Sequence, residues 1–445
     1  MQKKLLAVAV LATLSGAAVA QSANVTVYGR FKQNLESLSL TGASNPNAGV
    51  VAASAAGVFP VNLGTPAGGG NNDVKLGRMQ QSSSLIGFRG SEDLGNGLRA
   101  EFQIETDVGG DEQNSGSGTF ANRDTFIGVG SNTWGTVRMG HFDTYFTTAA
   151  RYYESAALYG WSLMHEPLNM LNRSQSGVQT SYHSGNTIRY ISPNWSGFQI
   201  VGQVSPNAFG TERKAAGSGF ANSRQWMLDL AYSNGPLSAG LSYIRTVNGV
   251  PSPALFSISN GVIALPGNTS ALNVAALQLP VSNTYSIANG TRLGASYIFG
   301  MGVRVGFIYD RLTDTASAAP SAAAILLGAS QNHTRTAWAL PISWKSGPHT
   351  VAGQYSRSGT TSGIANTVVA GVGTFGDTKA YSYSLAYDYG FSKRTSIGVQ
   401  YSAIINGDNA SYDAWSRGLG ATSTAGSVQI GQDPKMLSVG LRHVF

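Results

Sequence analysis

Apolar and polar residues alternate with a period of two in segment after segment of this chain. Leu98, Ala100, Phe102 and Ile104 fall on one face of a ribbon; Arg99, Glu101, Gln103 and Glu105 fall on the other. Such alternation marks a strand with one apolar and one wet face. The same pattern opens near Val25, where Val25, Val27, Phe31 and Leu35 oppose Thr26, Tyr28, Arg30, Lys32 and Asn34. It returns in Leu237/Ala239/Leu241/Tyr243, Leu293/Ala295/Tyr297/Phe299, Val303/Val305/Phe307/Tyr309, Tyr381/Tyr383/Leu385/Tyr387 and Leu437/Val439/Leu441. Sixteen strands are predicted, over 25–36, 76–90, 97–107, 122–130, 136–142, 186–192, 197–205, 224–234, 237–247, 291–300, 302–311, 334–345, 348–357, 379–390, 394–404 and 435–445.

The connections alternate in length. Short ones hold turn residues: Asn96-Gly97, Pro193-Asn194, Asn234-Gly235-Pro236, Ser346-Gly347-Pro348. Long ones, near 37–75, 108–121, 143–185, 206–223, 248–290, 312–333, 358–378 and 405–434, are rich in small and polar residues. Short turns at one end and long loops at the other predict an antiparallel up-and-down barrel. Two solvents compete for its apolar face. A soluble sandwich, such as a secreted lectin or adhesin, would pack these faces together; a membrane barrel turns them to lipid and encloses the wet face. Tyr, Gly and Ala would fill a packed core poorly. Aromatics near strand ends, among them Trp195, Phe198, Trp226, Phe299, Trp338, Trp344 and Phe391, suit interfacial girdles. The lipid-facing reading is therefore favoured.

The amino terminus agrees. Lys3-Lys4, the apolar stretch Leu5–Leu14 and Ala18-Val19-Ala20 predict a secretory signal peptide over residues 1–20, cleaved after Ala20, ahead of one barrel domain over 21–445. The apolar stretch falls short of the ~20 residues of a spanning helix. Charged residues are 11% of the chain, where about 25% is usual. With a net charge of only +7, that density is too low for a nucleic-acid binder. The absence of cysteine removes disulfides, thiolate metal sites and thiol nucleophiles.

Enzyme-like signals are weak. Gly371-Val-Gly-Thr-Phe-Gly376 matches a dinucleotide pattern, but a strand, not a helix, is predicted to follow. His165-Glu166 has no second histidine at helical spacing, so no zinc site is expected. An outer-membrane enzyme using His141, His165 or His183 stays open as an alternative, as does a substrate-selective channel for a sugar or aromatic acid. No cofactor is expected.

Several stretches resemble the Gram-negative general porins, in particular the neisserial and β-proteobacterial type. They are Val27-Tyr-Gly29, Leu85-Ile-Gly-Phe-Arg-Gly-Ser-Glu-Asp-Leu-Gly-Asn-Gly-Leu98, Asn122-Arg-Asp-Thr-Phe-Ile-Gly-Val129, Thr136-Val-Arg-Met-Gly140, Arg189-Tyr-Ile-Ser-Pro-Asn-Trp-Ser-Gly-Phe198 and Gly440-Leu-Arg-His-Val-Phe445. The resemblance implies an all-β, 16-stranded transmembrane barrel in the outer membrane, assembled as a homotrimer, with its third long loop folded inward. It implies a water-filled pore for small hydrophilic solutes and ions. The partners implied are the lipid bilayer, lipopolysaccharide and the barrel-assembly machinery, the last reading terminal Phe445 as its signal. By resemblance the basic wall of the constriction falls on Arg30, Arg123 and Arg189; Leu85 stands where the family has an arginine, with Lys32 or Arg89 able to offset it. Arg30 and Lys32 share a parity that points both into the lumen. Loop residues Glu154, Glu166, Tyr152, Tyr153 and Tyr159 are the expected acidic and aromatic counterparts. A lumen lined by Lys and Arg biases passage towards anions, so a mild anion preference is expected.

Overall fold

The computed structural model describes residues 25–42, 74–81, 84–109, 120–144, 183–208, 221–249, 286–316, 332–362, 378–407 and 431–445, with short pieces at 258–259, 262–263, 272–273, 368–369, 373–374, 410 and 412. Residues 1–20, predicted as a signal peptide, and residues 145–182 of the predicted third loop lie outside them.

Sixteen strands form one closed antiparallel sheet. They are β1 (Thr26–Thr41), β2 in two runs (Val74–Gln81 and Leu85–Gly95), β3 (Leu98–Asp107), β4 (Thr125–Ser131), β5 (Gly135–Phe142), β6 (Ser184–Ile191), β7 (Phe198–Ser205) and β8 (Ala221–Asn234). There follow β9 (Leu237–Gly249), β10 (Ser286–Ile298), β11 (Val303–Ala316), β12 (Asn332–Ser346), β13 (His349–Ser358), β14 (Ala380–Gly390), β15 (Thr395–Asn406) and β16 (Asp433–Val444). Each strand pairs with its neighbours in sequence, and β1 pairs with both β16 and β2, which closes the barrel. Closure satisfies every strand edge, as a structure without water around its backbone requires.

The side-chain phase answers which solvent meets the apolar face. Leu35, Ile127 and Leu385 are 63%, 62% and 62% exposed, whereas Asn34 and Gln400 are 1% and 0%. Apolar residues therefore point outward along the strands, and polar or small residues line the interior. In a soluble protein this exposure would be costly, at roughly 1.5–3 kcal/mol for each large aliphatic side chain kept from burial. Among the described residues no helix is long and apolar enough to cross a membrane; the strands do the crossing.

The wall is uneven. Strands β4 to β7 have 7 or 8 residues, while β11 and β12 have 14 and 15. The tall strands run beyond their predicted ends towards the long loops: β1 continues to Thr41 and β10 starts at Ser286. In the β1 extension the alternation inverts, with Leu38 and Leu40 pointing inward and Ser37 and Ser39 outward, so the apolar face no longer continues the one that Val27, Phe31 and Leu35 define. The fourth strand begins at Thr125, three residues later than expected; ahead of it Arg123 keeps one backbone hydrogen bond, its N–H to the Glu105 carbonyl oxygen at 3.2 Å, and its side chain reaches Asp107 on the lumen wall. Gly373–Thr374 lies in a small hairpin with Val368–Val369, and the next barrel element is the strand β14, which removes the context a dinucleotide site needs.

The β1–β16 ladder that closes the barrel ends at Phe445. Phe445 and Gly29 exchange both backbone hydrogen bonds, each 3.0 Å. The Phe445 ring lies over Gly29, where an added Cβ would come within 2.6 Å of its Cζ and of the Leu85 carbonyl oxygen. Only glycine leaves that seat open.

Candidate pore wall

Register assigns the charged interior residues to rows. One row crosses β3 to β7 as Glu101, Gly128, Arg138, Arg189 and Gln203. Arg138 and Arg189 stand directly opposite each other, an arrangement that like charge disfavours. The two guanidinium groups part in opposite directions. Arg138 crosses the side-chain-free Gly128, reaches Glu101 at 2.6 Å and stacks on Phe126, 4.4 Å from the ring centre. Arg189 donates to Gln203 Oε1 at 2.8 and 3.1 Å and to the Asp143 carbonyl oxygen, lies 4.2 Å from the Phe142 ring centre and faces Asp124 at 4.0 Å. A Cβ at Gly128 would stand 2.9 Å from Arg138 Cγ, so the glycine is the gap the arginine uses.

A second row runs Arg30, Leu85 and Asp107. Arg123 reaches the same Asp107 at 2.9 Å and Glu105 at 3.7 Å. Arg30 is within electrostatic range of Arg123, Glu105, Asp107 and Asp143. The three arginines that the resemblance picked out thus gather in one zone of the lumen wall, around Asp107, Asp124 and Asp143. Leu85 faces the lumen beside Arg30, almost fully buried, so an apolar side chain occupies the family's arginine position. Lys32 sits one step along β1, directly opposite Arg442, and its ammonium has no hydrogen-bond or ion-pair partner among the described residues. Arg89 also faces inward, over the Tyr28 ring at 4.8 Å, but is exposed and lies nearer the short-turn end. Of the two candidates to offset Leu85, Lys32 is the nearer to its row.

Tyr28, Glu101, Glu105, Asp124, Asp143 and His183 complete the zone. Tyr28 lies flat across Gly87 and donates to Glu105 Oε1 at 2.8 Å. His183 Nε2 meets Asp143 Oδ1 at 2.5 Å, tying the two ends of the third loop together at its base. Burial, then repulsion from Asp143, pushes the Asp124 carboxyl up to about 6 against the pull of Arg189. Burial would also raise Asp143, but the His183 hydrogen bond and charge, with Arg123 and Arg189, outweigh it and hold that carboxyl low. Glu101 and Glu105 were expected as lumen charges and do face inward. Arg138 was legible too, between outward Val137 and Met139. The pairing of Asp143 with His183, some forty residues apart, had no sequence signal. Glu154, Glu166, Tyr152, Tyr153, Tyr159 and His165 lie outside the described residues.

Asp124, Asp143 and His183 could present three ligand atoms to a cation, within 4.8 Å of one another. Two guanidinium groups already supply the positive charge there, which leaves little demand for an ion. Nor does the zone resemble a hydrolase: His141 stacks on His183 at 5.0 Å and contacts the Arg123 carbonyl oxygen, while Ser184 donates to Gln225 at 2.7 Å.

Comparison with known proteins agrees with this geometry. The family profile described as Gram-negative porin matches residues 7–410. Outer membrane porin protein 32 of Delftia acidovorans is 26% identical over the full length of both chains. An outer membrane porin protein of Bordetella pertussis is 31% identical over 55% of this chain and 59% of its own. Major outer membrane protein P.IA of Neisseria meningitidis is 34% identical over 46% of this chain and 47% of its own. Among solved structures, an anion-selective porin from Comamonas acidovorans superposes with a TM-score of 0.62 at 19% identity, covering 95% of this chain and all of its own. Together these assign the chain to the Gram-negative porin family, as a barrel of the bacterial outer membrane.

Proposed function

We propose that this porin passes small hydrophilic solutes down their gradients with a mild preference for anions, set by the basic wall around Arg30, Arg123 and Arg189. The carrying observation is the gathering of Arg30, Arg123 and Arg189 in one zone of the lumen wall, with Arg138 directly opposite Arg189. Elsewhere the wall pairs arginine with carboxylate, as in Glu36 with Arg78 at 2.8 Å and Arg292 with Asp310. Cations clustered on a low-dielectric wall focus field into the aqueous passage and raise the local anion concentration. A reversal potential in a salt gradient across a planar bilayer tests this. The reading predicts the sign of an anion-selective pore; a cation-selective sign refutes it.

The chain is proposed to assemble as a homotrimer through the low wall, β3 to β7. Strands β4 to β7, of 7 or 8 residues, are short of the ~9–11 that a tilted strand needs to cross hydrocarbon. The outward face of this wall is aliphatic (Leu98, Ile127, Val129, Val137, Met139, Ile188) and carries no Lys or Arg among the described residues. A second copy of the chain covers such a face where lipid does not. Export by residues 1–20, cleaved after Ala20, and insertion by the barrel-assembly machinery through Phe445 complete the proposal. Residues 143–185 are proposed to fold inward and narrow the pore, since Asp143 and His183 start and end that loop on the lumen wall.

A further inference from the structure

The lumen wall carries two phenylalanines at positions where its other strands place mostly polar or small residues. Phe126 of β4 and Phe142 of β5 share the inward parity of Gly128 and Arg138. Their rings stack with centres 5.5 Å apart and planes 23° from parallel. Each ring also carries a guanidinium: Arg138 lies 4.4 Å from the Phe126 ring centre, and Arg189 lies 4.2 Å from that of Phe142. These are the two arginines that register sets directly opposite each other. The aromatic pair therefore gives two like charges separate, fixed seats.

The seats leave the two arginines unequally committed. Arg189 donates from Nε to Gln203 and from one terminal amino group to Gln203 and the Asp143 carbonyl oxygen, and turns the other towards Asp124 at 4.0 Å. Arg138 uses Nε alone, on Glu101 at 2.6 Å. Among the described residues nothing hydrogen-bonds either of its terminal amino groups. Its side chain is 26% exposed, against 13% for Arg123 and 11% for Arg189, so it is the arginine of this zone most open to the passage. The inward positions around it are Gly128 in register, Gly130 on the diagonal and Gly140 two residues along β5, and none of them overhangs the fork with a side chain. Glu101 does not cancel the charge. It also lies 3.7 Å from Arg99, whose terminal amino groups bond Thr136 at 3.0 Å and Asn132 at 3.2 Å. Two arginines on one carboxylate leave a positive charge in excess.

We propose that Arg138 is a binding station for planar oxyanions, the carboxylates of small organic acids above all, with Phe126 as its positioning residue. A guanidinium with both terminal amino groups open donates two parallel hydrogen bonds, which match the two oxygens of a carboxylate and not a spherical halide. Phe126 beneath the plane and Glu101 at Nε hold the fork in place, so little side-chain freedom is lost when an anion arrives. Open water on the lumen side lets the anion leave again, as conduction requires. The inference rests on the anion preference proposed above and names the class of anion.

The test uses the full-length porin in planar bilayers, with chloride replaced stepwise by acetate or by bromide at constant ionic strength. Acetate is expected to lower the native current steeply and saturably at low mole fraction, because it occupies the station, whereas bromide should follow a straight line between the pure salts. A straight acetate line, or an equal saturable fall with bromide, overturns the proposal. Arg138→Lys keeps the charge and loses the fork. Loss of one charge-assisted hydrogen bond should move the half-effect to a roughly tenfold higher acetate concentration; an unmoved half-effect overturns the station. Phe126→Leu should move it in the same direction and Phe126→Tyr should restore it; equal values in the two variants overturn the positioning role. If Arg138→Lys yields no pores, Arg138→Gln carries the same measurement. The native reversal potential in potassium chloride, taken in the same bilayers, separates the two readings. An anion-selective sign with a straight acetate line removes the station and leaves the anion preference standing; a cation-selective sign removes both.

Discussion

Reversing the charge of Arg189 is the sharpest perturbation of the pore. Its guanidinium lies on the lumen wall, 4.0 Å from Asp124 and hydrogen-bonded to Gln203. In Arg189→Glu the wall changes by two unit charges. An ion passing ~6 Å away in a water-filled lumen feels ~0.7 kcal/mol per unit charge, so reversal costs an anion ~1.4 kcal/mol, a roughly tenfold fall in local concentration. Screening with a Debye length of ~8 Å at physiological salt halves this, to about threefold. At about 1 M salt, where that length is ~3 Å, the effect should nearly vanish. Arg123→Glu acts on the same zone through Asp107 and Glu105, and the double variant should lose anion preference or turn cation-selective at low salt. Reversal potentials in planar bilayers at two ionic strengths are the assay. Selectivity unchanged at both strengths would refute the placement of the constriction at these arginines.

Other expectations follow from the same geometry. Asp124, raised to about 6 by burial and by Asp143, gains a proton as pH falls through that value; the wall loses a negative charge, so anion selectivity should rise as pH drops from above that value to below it, and Asp124→Asn should abolish the change. Gly29→Ala places a methyl group in the Phe445 seat and should destabilise the closed barrel by ~1–3 kcal/mol, read as a lower temperature for loss of heat-resistant mobility on gels; unaltered mobility would count against the seat. Deletion of Phe445 should lower the amount of barrel inserted in cells, and a full yield would remove its assembly role. Leu385→Arg on the outward face should cost ~2–4 kcal/mol at mid-membrane depth, whereas Ser384→Arg faces the lumen and should alter conductance more than stability.

Much of this was legible from alternation alone. In Leu98 to Glu105 each residue's face could be read directly, and the structure places Glu101 and Glu105 inside accordingly. Parity likewise put Arg30 and Lys32 in the lumen. What the sequence withheld was relation between strands. Nothing local says that Arg138 will cross Gly128 to Glu101, since that contact depends on register. Residues 122–124 read as strand because Asn-Arg-Asp continues the polar spacing into Thr125, but hydrogen bonds from Asn122 and Arg123 to Asp107 turn them inward.

Because the chain has no native cysteine, single cysteines introduced one at a time from Tyr381 to Asp388 give a clean reading of which face meets lipid. In bilayers, fluorophores at Tyr381, Tyr383, Leu385 and Tyr387 should be quenched by brominated acyl chains, while cysteines at Ser382, Ser384, Ala386 and Asp388 should react with a charged, water-soluble thiol reagent. Quenching at the second set, or at neither set, would contradict a barrel whose apolar side touches hydrocarbon and whose polar side encloses water.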